Sequence, residues 1–262
     1  MIAPLLAVPL GLLVGVTLGA VGGGGSILTV PALIYALGED PRNATTGSLV
    51  IVGLTAVTGT MGHARAGRVR WVPGLVFGVI GVGGSVIGSR LNKLVEPNVL
   101  LLAFAGLMLL AAAAMLRRSA QRRSMPTSAR PAAGRGVTGK RILMVAVVGT
   151  VVGFLTGFFG VGGGFIVVPG LVLALDFGMA EAVGTSLLVI GLNSAIALGA
   201  RGGVTAVDWH VVLPFAVTAM AGSMLGNRVA GRFSAPVLER IFAGLLMVLS
   251  GYVATRSILR LV

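Results

Sequence analysis

The sequence predicts an all-α polytopic membrane protein made of two repeats, each of about five hydrophobic segments. Composition, an internal duplication and a pair of short, glycine- and proline-broken segments carry that expectation. Of 262 residues, 56% are hydrophobic and only 10% charged, with a mean hydropathy of +1.01. A soluble chain carries about 25% charged residues, and this one could not cover a water-facing surface. A spanning helix takes about 20 apolar residues, so there is room for roughly eight to ten. With 42 glycines and 5% aromatic residues, closely packed or broken helices fit better than a β-barrel with aromatic girdles.

Trp71 and Trp209 are 138 positions apart. The same offset, without gaps, brings Gly22 onto Gly160, Gly24 onto Gly162, Gly25 onto Gly163, Pro31 onto Pro169 and Ser48 onto Ser186. Farther on it equates Gly84-Ser85 with Gly222-Ser223, Gly88 with Gly226 and Arg90 with Arg228. Shared Gly, Pro, Trp and Arg over so long an ungapped stretch indicate a duplication. Residues 1–116 form the first membrane repeat, 117–141 a basic cytoplasmic linker and 142–262 the second repeat.

The apolar segments of the first repeat are 2–21, 26–37, 44–61, 71–89 and 99–116. Those of the second are 142–159, 165–175, 182–200, 209–227 and 237–255. Segment 2–21 is apolar from its first residue and lacks a basic flank, so it reads as a span rather than a cleavable signal. The second segment of each half is too short: about 15 residues make roughly 22 Å of helix against a hydrocarbon core about 30 Å thick. It also follows a glycine cluster and contains Pro31 or Pro169. Short, broken segments at matching places in two halves point to a transporter's binding site.

Five elements per half is an odd number, so the halves are expected to have opposite, inverted orientations. The alternative is that the short segments are re-entrant, leaving four spans per half and a parallel repeat. Charge favours inversion. The linker holds Arg117, Arg118, Arg122, Arg123, Arg130, Arg135, Lys140 and Arg141 with no acid, which the positive-inside bias places in the cytoplasm. The loop before Trp71 has Arg65, Arg68 and Arg70, whereas its counterpart before Trp209 keeps Arg201 opposed by Asp208. Arg90 and Lys93 run against this scheme. The net charge of +13 is explained by that bias, and no nucleic-acid partner is expected.

Candidate substrate-binding residues cluster at the breaks. In the first half they are Gly22, Gly24, Gly25 and Ser26, with Thr46 and Ser48 on the following segment. In the second they are Gly162, Gly163 and Gly164, with Thr185, Ser186 and Asn193. Glycine lets the backbone unwind and approach a ligand. A helix start leaves N–H groups free at a positive dipole end, which suits an anion, and hydroxyls and amides bind one without bringing charge into the bilayer. The competing reading is packing through small residues and hydroxyl bonds to carbonyls one turn back. His63 and His210 are expected to be solvated at span ends, and Trp71 and Trp209 to anchor at the interface. No acid falls at a span centre; Asp176 and Glu181 flank a turn where a gate or coupling group could sit. Cysteine is absent, no His/Glu cluster has metal-ligand spacing, Ser85 has no evident histidine partner, and no phosphate-cradling motif is present. Neither enzyme, cofactor nor metal is expected.

The run Gly160-Val161-Gly162-Gly163-Gly164, then Val168-Pro169-Gly170-Leu171 and Ala182-Val183-Gly184-Thr185-Ser186-Leu187, resembles the sulfite exporter TauE/SafE (TSUP) family. The first copy is similar: Gly22–Gly25, Val30-Pro31-Ala32-Leu33 and Ala44-Thr45-Thr46-Gly47-Ser48-Leu49. It departs in having Thr46-Gly47-Ser48 where the second has Gly184-Thr185-Ser186. The resemblance implies a secondary transporter of sulfite, sulfonate, sulfoacetate or other small organic anions in a bacterial-type inner membrane. Its partners would be a small anion, lipid and a coupling ion, proton or sodium. A passive anion channel and a non-transporting scaffold stay open as alternatives, as does the oligomeric state.

Overall fold

The computed structural model describes residues 2–92, 94–124, 139–159, 164–200 and 207–258. Ten α-helices lie among them: α1 (Ile2–Val21), α2 (Gly24–Pro31), α3 (Pro41–Arg65), α4 (Trp71–Asn92), α5 (Pro97–Ser124), α6 (Gly139–Phe159), α7 (Gly164–Pro169), α8 (Met179–Ala200), α9 (Trp209–Ala230) and α10 (Ala235–Ile258). The short helices α2 and α7 run on into single π turns, Ala32–Ala36 and Gly170–Ala174. Seven helices, α3 to α6 and α8 to α10, are long and apolar enough to cross a bilayer. The chain is a multi-pass membrane protein.

Each short helix is the return arm of a hairpin. Gly22, at φ +77°, turns the chain after α1, a backbone geometry that a Cβ would strain. A side chain at Gly25 would meet Leu18 N at 2.7 Å and the Val14 carbonyl at 2.8 Å, so α2 lies back along α1. Likewise a side chain at Gly170 would press on Val152 of α6 at 2.8 Å. Both arms end alike. The Glu39 N–H donates to the Leu33 carbonyl (3.0 Å) and the Phe177 N–H to the Leu171 carbonyl (3.1 Å), with Gly38 and Asp176 in the left-handed region. Beyond its hairpin each half has three long helices.

Two glycine seams hold the halves together. α1 packs on α9 and α6 on α4, so the first helix of each half lies against the fourth of the other. On α1, Gly11, Gly15 and Gly19 face Phe215, Ala219 and Ser223; on α6, Gly149, Gly153 and Gly157 face Phe77, Gly81 and Ser85. A Cβ at Gly15, Gly19, Gly153 or Gly157 would overlap a facing carbonyl. Gly222 and Gly226 close the first seam from the α9 side, Gly84 and Gly88 the second from the α4 side. Spacing by four puts each set on one helix face, where backbones approach closely without a hydrophobic driving force. α3 packs on α8 and α5 on α10.

Residues 117–124 continue α5 and 139–141 begin α6; 125–138 lie outside the described residues. Arginine and glutamine are good helix formers, and cations near a helix C-terminus complement its dipole, so the basic run prolongs α5. Two ends of the molecule follow. At the basic end lie Arg65, Arg68, Arg70, Arg117, Arg118, Arg228 and Arg232, where α3, α5 and α9 finish and α4 and α8 start. At the acidic end lie Glu39, Asp40, Glu96 and Asp208, where α3, α5 and α9 start, together with Arg90 where α4 finishes; Asp176, Glu181 and Glu239 lie at the basic end.

Candidate functional site

The two hairpin tips meet inside the bundle. Gly23 lies so close to Gly164 that a Cβ there would overlap the Gly164 carbonyl. Positions 26 and 164, which the repeat offset equates, also touch: a Cβ at Gly164 would stand 2.6 Å from Ser26 Oγ. A Cβ at Gly22 would stand 2.6 Å from Ser186 Oγ. Gly22, Ser26, Gly164 and Ser186 are thus brought together, and Gly25 packs on its own hairpin. Gly24 opens α2, while Gly162 and Gly163 lie outside the described residues. Ser26, Ser48 and Ser186 donate their hydroxyl protons to the carbonyls of Gly23 (2.7 Å), Thr45 (2.9 Å) and Val183 (2.8 Å). With protons so placed they offer lone pairs, and each must rotate before it can donate to an anion. Thr46 is buried.

A cavity of about 420 Å³ runs inward from the acidic end to Ile190, next to this crossing. It lies between α4, α6 and α8, from Ser89 and Ala200 near their ends inward to Gly153, Ile190 and Leu49. Among the described residues its polar lining is Ser85, Ser89, Thr156, Asn193 and Ser194, with no charged side chain. Asn193 is the one candidate residue from the sequence that lines it, and its Oδ1 is buried without a hydrogen-bond partner. The floor is Ile190, whose Cδ1 would stand 3.0 Å from a Cβ at Gly164.

The cavity at the basic end is smaller. It measures about 330 Å³ and is lined by Thr58, Met61, Gly62, Arg65, Met224, Asn227 and Arg228. Below it Ser223, the counterpart of Ser85, is wholly buried and donates to the Thr55 carbonyl at 3.4 Å. Gly59 is pressed against Ser223 Oγ (2.7 Å) and Leu187 (2.9 Å), measured from where its Cβ would be. His63 seals the same place. Its ring is 1% exposed, and Nε2 lies 3.0 Å from the Gly19 carbonyl. A carbonyl only accepts, so Nε2 carries the hydrogen and Nδ1 presents a bare lone pair, which has no partner. The solvated histidine expected at this position is therefore buried: α3 runs on to Arg65, which keeps residue 63 within the bundle against α1. His210 is exposed, as expected.

Other candidates have structural duties. Thr185 is wholly buried, and its hydroxyl accepts the Arg70 N–H at 3.1 Å, which ties the start of α4 to α8. Arg70 also pairs with Glu181 at 2.6 Å, and Arg118 with Asp176. Asp208, in Arg70's place in the repeat, caps α9 by accepting the His210 N–H at 2.9 Å. Glu39, near Asp208 and Asp40, is pushed above the usual carboxylate range, first by burial and then by those two negative charges. Glu239 is buried in the second turn of α10. Trp71 and Trp209 stand about half exposed at the starts of α4 and α9. No group of three or more metal-ligating side chains occurs among the described residues.

Sequence reasoning passed over Ser85, Ser89, Thr156 and Ser194 as site residues, and over the seam glycines. The seams were signalled by glycine at every fourth position, Gly11-Gly15-Gly19 and Gly149-Gly153-Gly157. The serines carry no such signal, because which face of α4 or α6 meets a void is set by packing.

The family described as sulfite exporter TauE/SafE matches residues 7–253. A "Probable membrane transporter protein" of Xylella fastidiosa (strain 9a5c) is 36% identical over 249 residues, 94% of this chain and 92% of the relative. The "Probable membrane transporter protein YunE" of Bacillus subtilis (strain 168) is 28% identical over 239 residues, 86% of each. No solved structure matches.

Proposed function

The chain belongs to the sulfite exporter TauE/SafE family of membrane transporters, and we propose that it moves small sulfur-containing or organic anions, of the sulfite, sulfonate or sulfoacetate class, by alternating access. The carrying observation is the inequality of two cavities that the repeat makes equivalent. The acidic-end cavity runs inward as far as Ile190, which stands against Gly164 of the hairpin crossing; at the basic end Thr55, Ser223, Leu187 and His63 fill the matching depth. A passive channel would need both paths open together. In the proposed cycle the two halves, 1–116 and 142–262, are inverted repeats that exchange these shapes. The exchange of packing partners between the halves, and three long helices beyond each hairpin, support inversion. The segregated charge supports a cytoplasmic basic end in a bacterial-type inner membrane, with both termini outside.

Among the described residues the substrate path holds hydroxyl and amide groups and no buried cation, which suits a small anion bound by several neutral donors. The crossing of Gly22, Ser26, Gly164 and Ser186 would hold it, with Asn193 just above. Proteoliposomes test this. Uptake of labelled sulfite or a sulfonate against its own gradient, driven by an imposed proton or sodium gradient, is expected. Flux that only ever dissipates the substrate gradient makes the protein a channel. A purified protein whose melting temperature none of sulfite, sulfonates or carboxylates raises contradicts the substrate assignment.

A further inference from the structure

We propose that His63 is a proton-binding site whose protonation opens the basic-end cavity, which makes the proton the coupling ion; this rests on the alternating reading above. The repeat offers an internal comparison. Gly19 and Gly157 are equivalent. The Gly157 backbone lines the open cavity, with Ser89 Oγ at 3.4 Å from its carbonyl. The Gly19 carbonyl is instead capped by His63 at 3.0 Å, in the closed half. The ring bridges the last turns of α3 and α1, and its Cβ would stand 3.0 Å from a Cβ at Gly184 of α8. It is a latch across the three elements that must separate for the basic end to open.

The ring can bind one proton, and only at Nδ1, where a buried lone pair has no partner. Adding that proton gives an imidazolium with an unpaired N–H in a dry site, which is costly unless the group reaches water or an acceptor. The charged neighbours make it costlier. Arg65 lies on α3 itself; Arg68 donates its N–H to the His63 carbonyl at 3.0 Å, and its guanidinium reaches toward Gly231 past the end of α9. Arg228 and Arg232 stand at that end of α9. Glu181 is the acid on the facing turn of α8, already paired with Arg70, and α1 and α2 carry no titratable group. The closed form therefore holds His63 neutral. Protonation favours the form in which the ring leaves Gly19 for the water of the Asn227 cavity. Position 201, the equivalent of 63, is arginine, so the second half carries no titratable counterpart.

The chain has no cysteine and two histidines, so both accessibility and titration can be read cleanly. In inside-out vesicles, Ser223→Cys is labelled with an impermeant maleimide at about pH 5.5 and about pH 8, either side of histidine's ordinary range. Its rate is divided by that of exposed Ala66→Cys, to remove the pH dependence of the thiol itself. The normalised rate should rise about tenfold at the lower pH. In a His63→Gln background, whose amide can still donate to Gly19 but cannot titrate, the rise should vanish. Equal normalised rates, or a rise that survives His63→Gln, overturns the proposal. Should His63→Gln not fold, nitrogen NMR of 15N-histidine-labelled His210→Gln protein follows His63 directly. Its Nδ1 must gain a proton over the range in which Ser223→Cys becomes reactive, and a ring that stays neutral there also overturns the proposal. An unchanged Ser85→Cys rate while Ser223→Cys responds would overturn the alternating reading and leave the proton site standing.

Discussion

The two cavities are built from the same repeat and differ in what fills them. At the acidic end, Ser85, Asn193 and Ala197 line a cavity along the α4–α6 seam that ends on Ile190, next to the hairpin crossing. At the basic end the matching positions are Ser223, Thr55 and Gly59, packed so closely that Ser223 and Thr55 are buried. Composition does not decide this, because the closed side has the smaller residue at 59 and equal polarity. The difference lies in how α3 and α8 lean. α3 rests on α1 and α9 with a histidine latch, while α8 packs on the first turns of α4, at Gly74 and Gly78, and leaves the cavity beside its later ones. In the proposed cycle these are the two shapes that each cavity adopts in turn.

The seams underlie both cavities and should be the least tolerant feature. Valine at Gly15 or Gly153 would drive methyls into a facing carbonyl, which only separation of the helices relieves. We expect a loss of about 3 kcal/mol or more, seen as little monodisperse protein on size exclusion. Alanine at Gly83 or Gly106, which faces open space, should stay within about 0.5 kcal/mol of wild type. If Gly15→Val folds normally, the seams are not what joins the halves.

The next largest effect separates path from scaffold. Leucine at Asn193 should fill the open cavity and remove transport while the protein stays folded. Alanine there should weaken substrate binding about ten- to hundredfold, the worth of one hydrogen bond to an anion. A dissociation constant unchanged in Asn193→Ala, measured by calorimetry, would take the path elsewhere. Thr185→Val, in contrast, removes the acceptor of the Arg70 N–H. It should cost about 1–2 kcal/mol of stability and change binding less than about twofold. A large binding loss would return Thr185 to the substrate site.

Much of this contrast was legible in the sequence, and part of it was not. The ten helical elements and the breaks at Gly22 and Gly164 follow from glycine, proline and hydropathy, which act locally. The short segments were legible as interrupted but not as return arms, because a hairpin depends on where Gly25 finds Leu18. Thr185 and Ser186 look alike in sequence. Only packing turns one toward the start of α4 and the other toward Gly22. His63 lies two residues from its helix end, and nothing nearby in the chain tells that α1 covers it.

The smallest expected effect concerns the acidic end. Glu39 has a raised pKa, so the fold disfavours its charged form. Its stabilising contribution is complete below the ordinary carboxylate value and is lost as pH climbs through the raised one. Glu39→Gln should therefore raise the melting temperature slightly at neutral pH and not at about pH 4. The same gain at both values would assign the effect to something other than charge.

Paired accessibility tests the inequality of the two cavities most directly. With single cysteines at Ser85 and at Ser223 in membranes of known orientation, Ser85→Cys should react with an impermeant thiol reagent added at the acidic face. Under the same conditions near neutral pH, Ser223→Cys should resist reagent added at the basic face. Conditions that expose Ser223→Cys should protect Ser85→Cys. Simultaneous labelling of both, each from its own side and at full stoichiometry, would describe a continuous pore and contradict alternating access.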